Sequence, residues 1–152
     1  MSHKSEIQLS DVQAVYSGPE ADLWNLVMGR QIHIGGMRSS EALAHKAEIQ
    51  PGSEGVDLCC CSGAGMRFLI RFRDVAKMHG VDATQRMLEW GKIQSEEESF
   101  TDQTIYLNAD ACETGLPDAS FDFAWGEDAW CYVVDKPALI AEAVRLVKPG
   151  GI

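Results

Sequence analysis

No run of apolar residues in this sequence approaches the ~18 needed to cross a bilayer as a helix. Its opening, MSHKSEIQLS, has no apolar core of the kind a secretory signal carries. Both absences point to a soluble, cytoplasmic protein. Positive charge is scarce as well: 13 basic residues against 23 acidic ones leave a net charge of −10. Such a balance repels phosphate backbones and anionic lipid surfaces, so neither nucleic acid nor membrane is expected as a partner. CxxC spacing is missing, and of the five cysteines three are consecutive, Cys59 to Cys61. Neighbours along a strand point to opposite faces, so these make a poor disulfide framework; reduced, buried thiols and no metal are expected. Against these gaps stand 152 residues, 45% of them hydrophobic, with four Trp. That is enough to bury one core.

The organising stretch is Gly55 to Gly65, GVDLCCCSGAG. Val56, Asp57, Leu58 and the three cysteines read as a strand buried on both faces. Ser62, Gly63, Ala64 and Gly65 read as a tight turn opening a helix at Met66. This is the pattern of the first βα unit of a nucleotide site, where ligand binds beyond the carboxyl ends of a parallel sheet and backbone approaches it closely. A second strand over 75–81 then ends at Asp82, 19 residues beyond Gly63. That offset suits an acidic residue that accepts from ribose hydroxyls, and Asp82 is equally placed to cap a helix over 83–92.

The stretch around Asp57 resembles motif I of the class I S-adenosylmethionine-dependent methyltransferases, written DxGxGxG. Asp57 and Gly63 are in register, and Cys59 and Cys61 stand at the two earlier glycines. The resemblance implies that Asp57, Cys59, Cys61 and Gly63 border S-adenosylmethionine, with Asp82 and Ala83 at its ribose. Positive φ at either cysteine would cost about 1 to 2 kcal/mol, whereas strand dihedrals at Cys59 would be tolerated. A third strand over 104–107 leads into Asn108 to Pro117, similar to the family's adenine-binding turn. Asp110 would there accept from the adenine amino group, and the Ala111 or Cys112 amide would donate to a ring nitrogen.

A fourth strand over 119–126 ends at Glu127, Asp128, Ala129, Trp130, Cys131 and Tyr132. In the sarcosine and dimethylglycine N-methyltransferases a similar acidic pair and aromatic reach the sulfonium and the acceptor. That likeness assigns Glu127, Asp128 and Tyr132 to catalysis, Glu127 also to the donor, and Trp130 and Tyr132 to the substrate. Rings attract cations, and a carboxylate orients or deprotonates an amine. The structural alternative has Trp130 and Tyr132 capping the core while Glu127 and Asp128 are solvated.

Upstream, residues 1–15 read as a frayed helix or a disordered tail. Pro19 opens a helix with Leu23, Trp24, Leu26, Val27 and Met28 on one broad face, ended by Gly29. The segment WNLVMGRQIHIGG is similar to the stretch before motif I in the same N-methyltransferases, which lids the donor and shapes the acceptor pocket. This implies a substrate contact for Trp24 and a catalytic one for His33; the alternative is a packed helix with His33 on its surface. Ser39 or Ser40 then caps a helix over 41–49, closed by Pro51 and Gly52. Further expectations are a helix from Met66 with Arg67, Arg71 and Arg73 towards solvent, and a solvated acidic loop over 95–99. A last helix follows Asp135 and Pro137, burying Leu139, Ile140, Ala143, Val144, Leu146 and Val147.

The fold class expected is α/β: a Rossmann-like, doubly wound parallel sheet. Residues 1–50 form a helical lid and residues 51–152 a partial core. The family's strand order is 3-2-1-4-5-7-6, of which four strands are present and strands 5–7 missing. Strand four is thus left as an unpaired edge, open to a homodimer, and a fragment of a longer protein is suspected. The function implied is methyl transfer to a small molecule, an amine or amino acid. Two alternatives stand: a non-catalytic remnant, and a nicotinamide-dependent oxidoreductase, for which GxGxxG is absent.

Overall fold

The computed structural model describes residues 7–29 and 33–152. The start of the expected tail and residues 30–32 of the pre-motif segment lie outside the described residues, as does the side chain of Met28.

The described residues open with α1 (Leu9–Ser17) and α2 (Pro19–Met28). The first is entered at Gln8, whose amide donates to Asp11 Oδ2 at 2.8 Å; the second begins on Pro19, whose missing N–H and fixed φ suit a first helical turn. Next comes α3 (Gly36–Lys46), which starts earlier than the serine caps suggest. Ser40 lies inside it and turns its hydroxyl inward. Beyond it the chain alternates: β1 (Glu54–Leu58), α4 (Ala64–Arg73), β2 (Lys77–Asp82), α5 (Gln85–Glu97), β3 (Thr104–Asn108), β4 (Phe123–Trp125) and α6 (Lys136–Leu146). The strands pair in the order β3-β2-β1-β4, all parallel, with Asp57 opposite Gly80 and Trp125. No helix among the described residues is long and apolar enough to cross a membrane.

Two cores fill the two faces of the sheet. One gathers Met66, Leu69, Met78, Leu88, Phe123 and Trp125 under α4 and α5; the other gathers Val56, Leu58, Val81, Leu139, Ala143 and Leu146 under α6. The alternation of β1, with Val56 and Leu58 towards α6, is what makes the sheet doubly wound.

Several expectations are corrected. The first strand stops at Leu58, so the cysteines form a turn and not its continuation. Arg67 is 3% exposed, not solvated: it donates to Ser62 O, Gln94 Oε1 and Glu98 Oε1, clasping α4 to α5. The acidic loop is mostly helix, since α5 continues to Glu97 and buries Ser95 against the Tyr106 hydroxyl at 2.9 Å. The fourth strand is only three residues long because Ser120 and Phe121 donate their amides to Leu146 O at the end of α6. On α6, Ile140 and Val144 face outward, while Leu139, Ala143 and Leu146 are buried. The apolar face of α2 is uncovered, with Leu26 81% exposed. Nor is the outer edge of β4 bare: Ile152 donates to Asp122 O at 3.1 Å and accepts from the Ala124 amide at 2.9 Å, the bonding of a parallel neighbour.

Candidate functional site

The site lies at the carboxyl ends of the strands. After Leu58 the backbone turns sharply: Cys59 has φ 63° and Cys61 φ 52°, both left-handed, followed by Gly63 at φ 72°. The strand dihedrals allowed for Cys59 are therefore not adopted. The two cysteines do what the glycines of such a turn do, with a side chain attached. Cys60 differs; it is buried beneath α4, near enough to β2 that a Cβ on Gly80 would stand 2.7 Å from its sulfur. The three thiols do not converge, and among the described residues no cluster of three His, Cys, Asp or Glu is placed to hold a metal ion.

Asp82, closing β2, braces this turn. Its Oδ2 accepts from the Cys61 amide and its Oδ1 from the Thr84 amide, each at 2.8 Å. Burial pushes its carboxyl up, and those two donors pull it down. One strand further out, Asp110 Oδ1 accepts from the Cys112 amide at 2.8 Å. Of the two amides the sequence left open, that of Cys112 is thus committed and that of Ala111 is the one to donate outward.

These residues line a cavity of about 380 Å³, within the range of small-molecule sites. Asp82, Ala83, Asp110, Ala111, Cys59, Cys61 and Cys112 form its floor, Tyr132 and Val133 one wall, and Leu9, Val12 and Tyr16 of α1 its roof. The expected lid over residues 1–50 names none of these three, although Leu9, Val12 and Tyr16 at spacing i, i+3, i+7 are a legible helical stripe. Two polar clamps hold it down: Gln13 Nε2 donates to Ala83 O at 2.8 Å, and Arg86 donates to Ser17 O, Gly18 O and Asp22 Oδ1. The Tyr16 phenol is pushed up to about 12, by burial first and then by Cys61, Tyr132 and Asp82. The Cys61 thiol is likewise pushed up to about 12 by burial and Asp82. Both stay neutral and un-nucleophilic at physiological pH.

A second, smaller cavity of about 70 Å³ opens beside the first and shares Tyr16, Cys59, Cys61 and Ala129 with it. Asp57, Trp125, Glu127, Asp128, His33 and Gly65 are among its other lining residues. Gly65 is needed there, since a Cβ would lie 2.8 Å from Trp125 Nε1 and 3.4 Å from Asp57 Oδ2. Asp57 is 3% exposed, and its carboxyl is pushed well above the usual range by burial, then by Glu127 and Asp82. His33 is buried and not on a surface. The Ser40 hydroxyl stands 3.1 Å from His33 Nε2 and donates to Glu127 Oε2 at 2.9 Å. Asp128 Oδ2 accepts from the Ile34 amide at 3.1 Å, fastening the same segment. Glu127 Oε1 and Trp125 Nε1 are buried with no hydrogen-bond partner.

Of the remaining sequence candidates, Gly63 sits outside both cavities, beneath Tyr106, whose hydroxyl would lie 2.3 Å from a Cβ added there. Trp130 also lies outside, its Nε1 donating to Leu58 O at 3.0 Å, and packs on the α6-side core. Trp24 is exposed on α2, away from both. Tyr132 is exposed at the rim of the larger cavity.

Comparison with known proteins gives the family. The family described as a methyltransferase domain matches residues 56–152. The chain is 32% identical over 115 residues to a sterol 24-C-methyltransferase of Yarrowia lipolytica, across 76% of this chain and 30% of that protein. It is 25% identical over 143 residues to the 27-O-demethylrifamycin SV methyltransferase of Amycolatopsis mediterranei, covering 86% of this chain and 52% of that one. Phosphoethanolamine N-methyltransferase 2 of Haemonchus contortus, solved with S-adenosyl-L-methionine, superposes with a TM-score of 0.81 at 24% identity, over 97% of this chain and 35% of that one. The chain thus spans between about a third and a half of the length of these proteins.

Proposed function

The chain belongs to the class I S-adenosylmethionine-dependent methyltransferase family, and we propose that its paired cavities hold S-adenosylmethionine for methyl transfer to a small amine or amino acid. The observation that carries this reading is the junction of the two cavities. A site for a nucleoside, bounded by Asp82 and Asp110, meets a site for a charged tail, bounded by Asp57 and Glu127. The residues fit that occupant. Trp125 Nε1 and Glu127 Oε1 are a buried donor and a buried acceptor without partners, in a cradle that a Cβ on Gly65 would fill.

Asp82 accepts from the ribose hydroxyls with the lone pairs left over from Cys61 and Thr84. Asp110 takes the adenine amino group and the Ala111 amide donates to the ring. Asp57 and Glu127 receive the amino group of the tail, and Trp125 Nε1 donates to its carboxylate. When bound, S-adenosylmethionine supplies an electrophilic methyl group, open to in-line attack by an acceptor nucleophile. The chain's contribution is alignment and dryness: Leu9, Val12, Tyr16 and Val133 exclude water from above. Asp128 and Glu127 are the carboxylates at hand to orient an amine or take its proton, and Tyr16 and Tyr132 offer ring faces to it. Residues 1–50 act in this scheme as the lid.

Calorimetric titration with S-adenosylhomocysteine tests the reading, because it needs no acceptor. Micromolar binding is expected, and Asp82→Ala should weaken it at least about tenfold with the fold intact, as loss of a charge-assisted bond implies. A folded chain that binds nothing rejects the proposal. Screening small amines with the loaded protein then tests the acceptor class.

A further inference from the structure

Among the described residues no Lys or Arg lines either cavity, and His33 is the sole basic side chain there. Asp82 lines the larger cavity, and Asp57, Glu127 and Asp128 line the smaller one that adjoins it. Buried carboxylates ordinarily come with cations or with a full set of donors. Here Asp82 has two backbone donors, Glu127 has one donor on Oε2, and Glu127 Oε1, on a side chain only 7% exposed, has none. Ser40 Oγ donates to Glu127 Oε2 at 2.9 Å and stands 3.1 Å from His33 Nε2 and 3.4 Å from Gly36 O. His33 Nδ1 lies 3.3 Å from Ile34 O and 3.4 Å from Glu127 Oε1, with no hydrogen bond to that oxygen. The Tyr16 phenol stands where the two cavities join.

We infer that the junction is built for positive charge on the sulfur, so that the chain binds the sulfonium donor in preference to its neutral thioether product. This rests on the donor reading above and goes beyond it. Methyl transfer removes the positive charge from sulfur, and the Glu127 carboxylate and the Tyr16 ring then lose what they were attracting. The product keeps the ammonium of its tail but no longer offsets the negative charge that faces the sulfur position. Product release follows from chemistry completed at the junction, without a separate device to expel it.

The test is calorimetric titration of the full chain with three ligands. They are S-adenosylmethionine, S-adenosylhomocysteine and sinefungin, in which a carbon bearing an ammonium group replaces the methylsulfonium. The two cationic ligands should bind at least about tenfold tighter than the thioether, the size of one charge-assisted contact. Glu127→Gln should collapse that ratio to below about threefold, by weakening the two cationic ligands more than the thioether. Tyr16→Leu should narrow the ratio in the same direction, and carries the test if Glu127→Gln does not fold. Equal binding of all three, or tighter binding of the thioether, overturns the inference and leaves the donor site standing. Binding of none by folded protein overturns both.

Discussion

Cys59 and Cys61 hold left-handed backbone, at φ 63° and 52°, that L-residues enter only at a cost. That cost is about 1 to 2 kcal/mol per position. Glycine removes it but gives back about 0.5 to 1 kcal/mol through the freedom it adds to the unfolded chain. Cys59→Gly and Cys61→Gly should therefore each stabilise the protein by roughly 0.5 to 1 kcal/mol, for about 1 to 2 kcal/mol together. In a chain of this length that raises the melting temperature by about 2 to 8 °C. The Cys61 amide that donates to Asp82 survives the change. Cys60 is the internal control: it has no positive φ and is buried in the core under α4. Cys60→Gly must forfeit packing and add chain freedom, a loss of about 1.5 to 3 kcal/mol. Thermal unfolding of the three single variants under reducing conditions should give two increases flanking one decrease. A uniform decrease would refute the argument, because it would mean that the turn is not strained by its side chains.

Asp57, raised by burial, costs the fold more the more it ionises. Its stability contribution is intact below the ordinary aspartate range and is lost as pH rises through its elevated folded value. Asp57→Asn should accordingly flatten the loss of stability above the ordinary range, read from urea midpoints across pH, and an unchanged slope would reject this. Glu142 has the opposite sign: Arg145 first, then Thr114, hold its carboxyl down at about 2. Its contribution is present above the ordinary glutamate range and fades as pH falls towards about 2, so Glu142→Gln should lower the urea midpoint at neutral pH and blunt the acid transition. Ser40→Ala should loosen the His33 segment, seen as faster amide exchange around Ile34, while Asp82 keeps its bonds and the ribose end is unaffected.

The alternating pattern of strands and helices is legible in the sequence because buried parallel strands read as short apolar runs, and Asp82 because its offset from Gly63 is distinctive; Asp110 follows from the family resemblance. What escaped has physical causes too. Arg67 reads as solvated on a helical wheel, and only its place between Ser62 O and Glu98 shows it as a buried clasp. The faces of α2 and α6 were assigned by periodicity, which says that a stripe exists but not what covers it; Leu26 and Val144 are left outward. His33 and Ser40 meet Glu127 across 94 and 87 residues of chain, a distance over which local pattern is silent. Trp24 and Trp130 follow from the family resemblance, and tertiary placement puts neither in a cavity.

The short fourth strand has a consequence for how this molecule can change over generations. The pair after Asp57 and Trp125 would be Leu58 with Gly126, yet the Leu58 carbonyl is taken instead by the indole of Trp130. A Cβ at Gly126 would sit 1.9 Å from that ring, so the glycine is what lets the indole lie there. A side chain thus does the work of a missing ladder rung. The wall from Glu127 to Tyr132 is moored to the sheet by one tryptophan and one glycine and is otherwise released from strand register. Apart from Glu127 and Asp128, its residues are free to drift and reshape the chamber towards new acceptors, while the strand pairing that keeps the domain folded stays as it is.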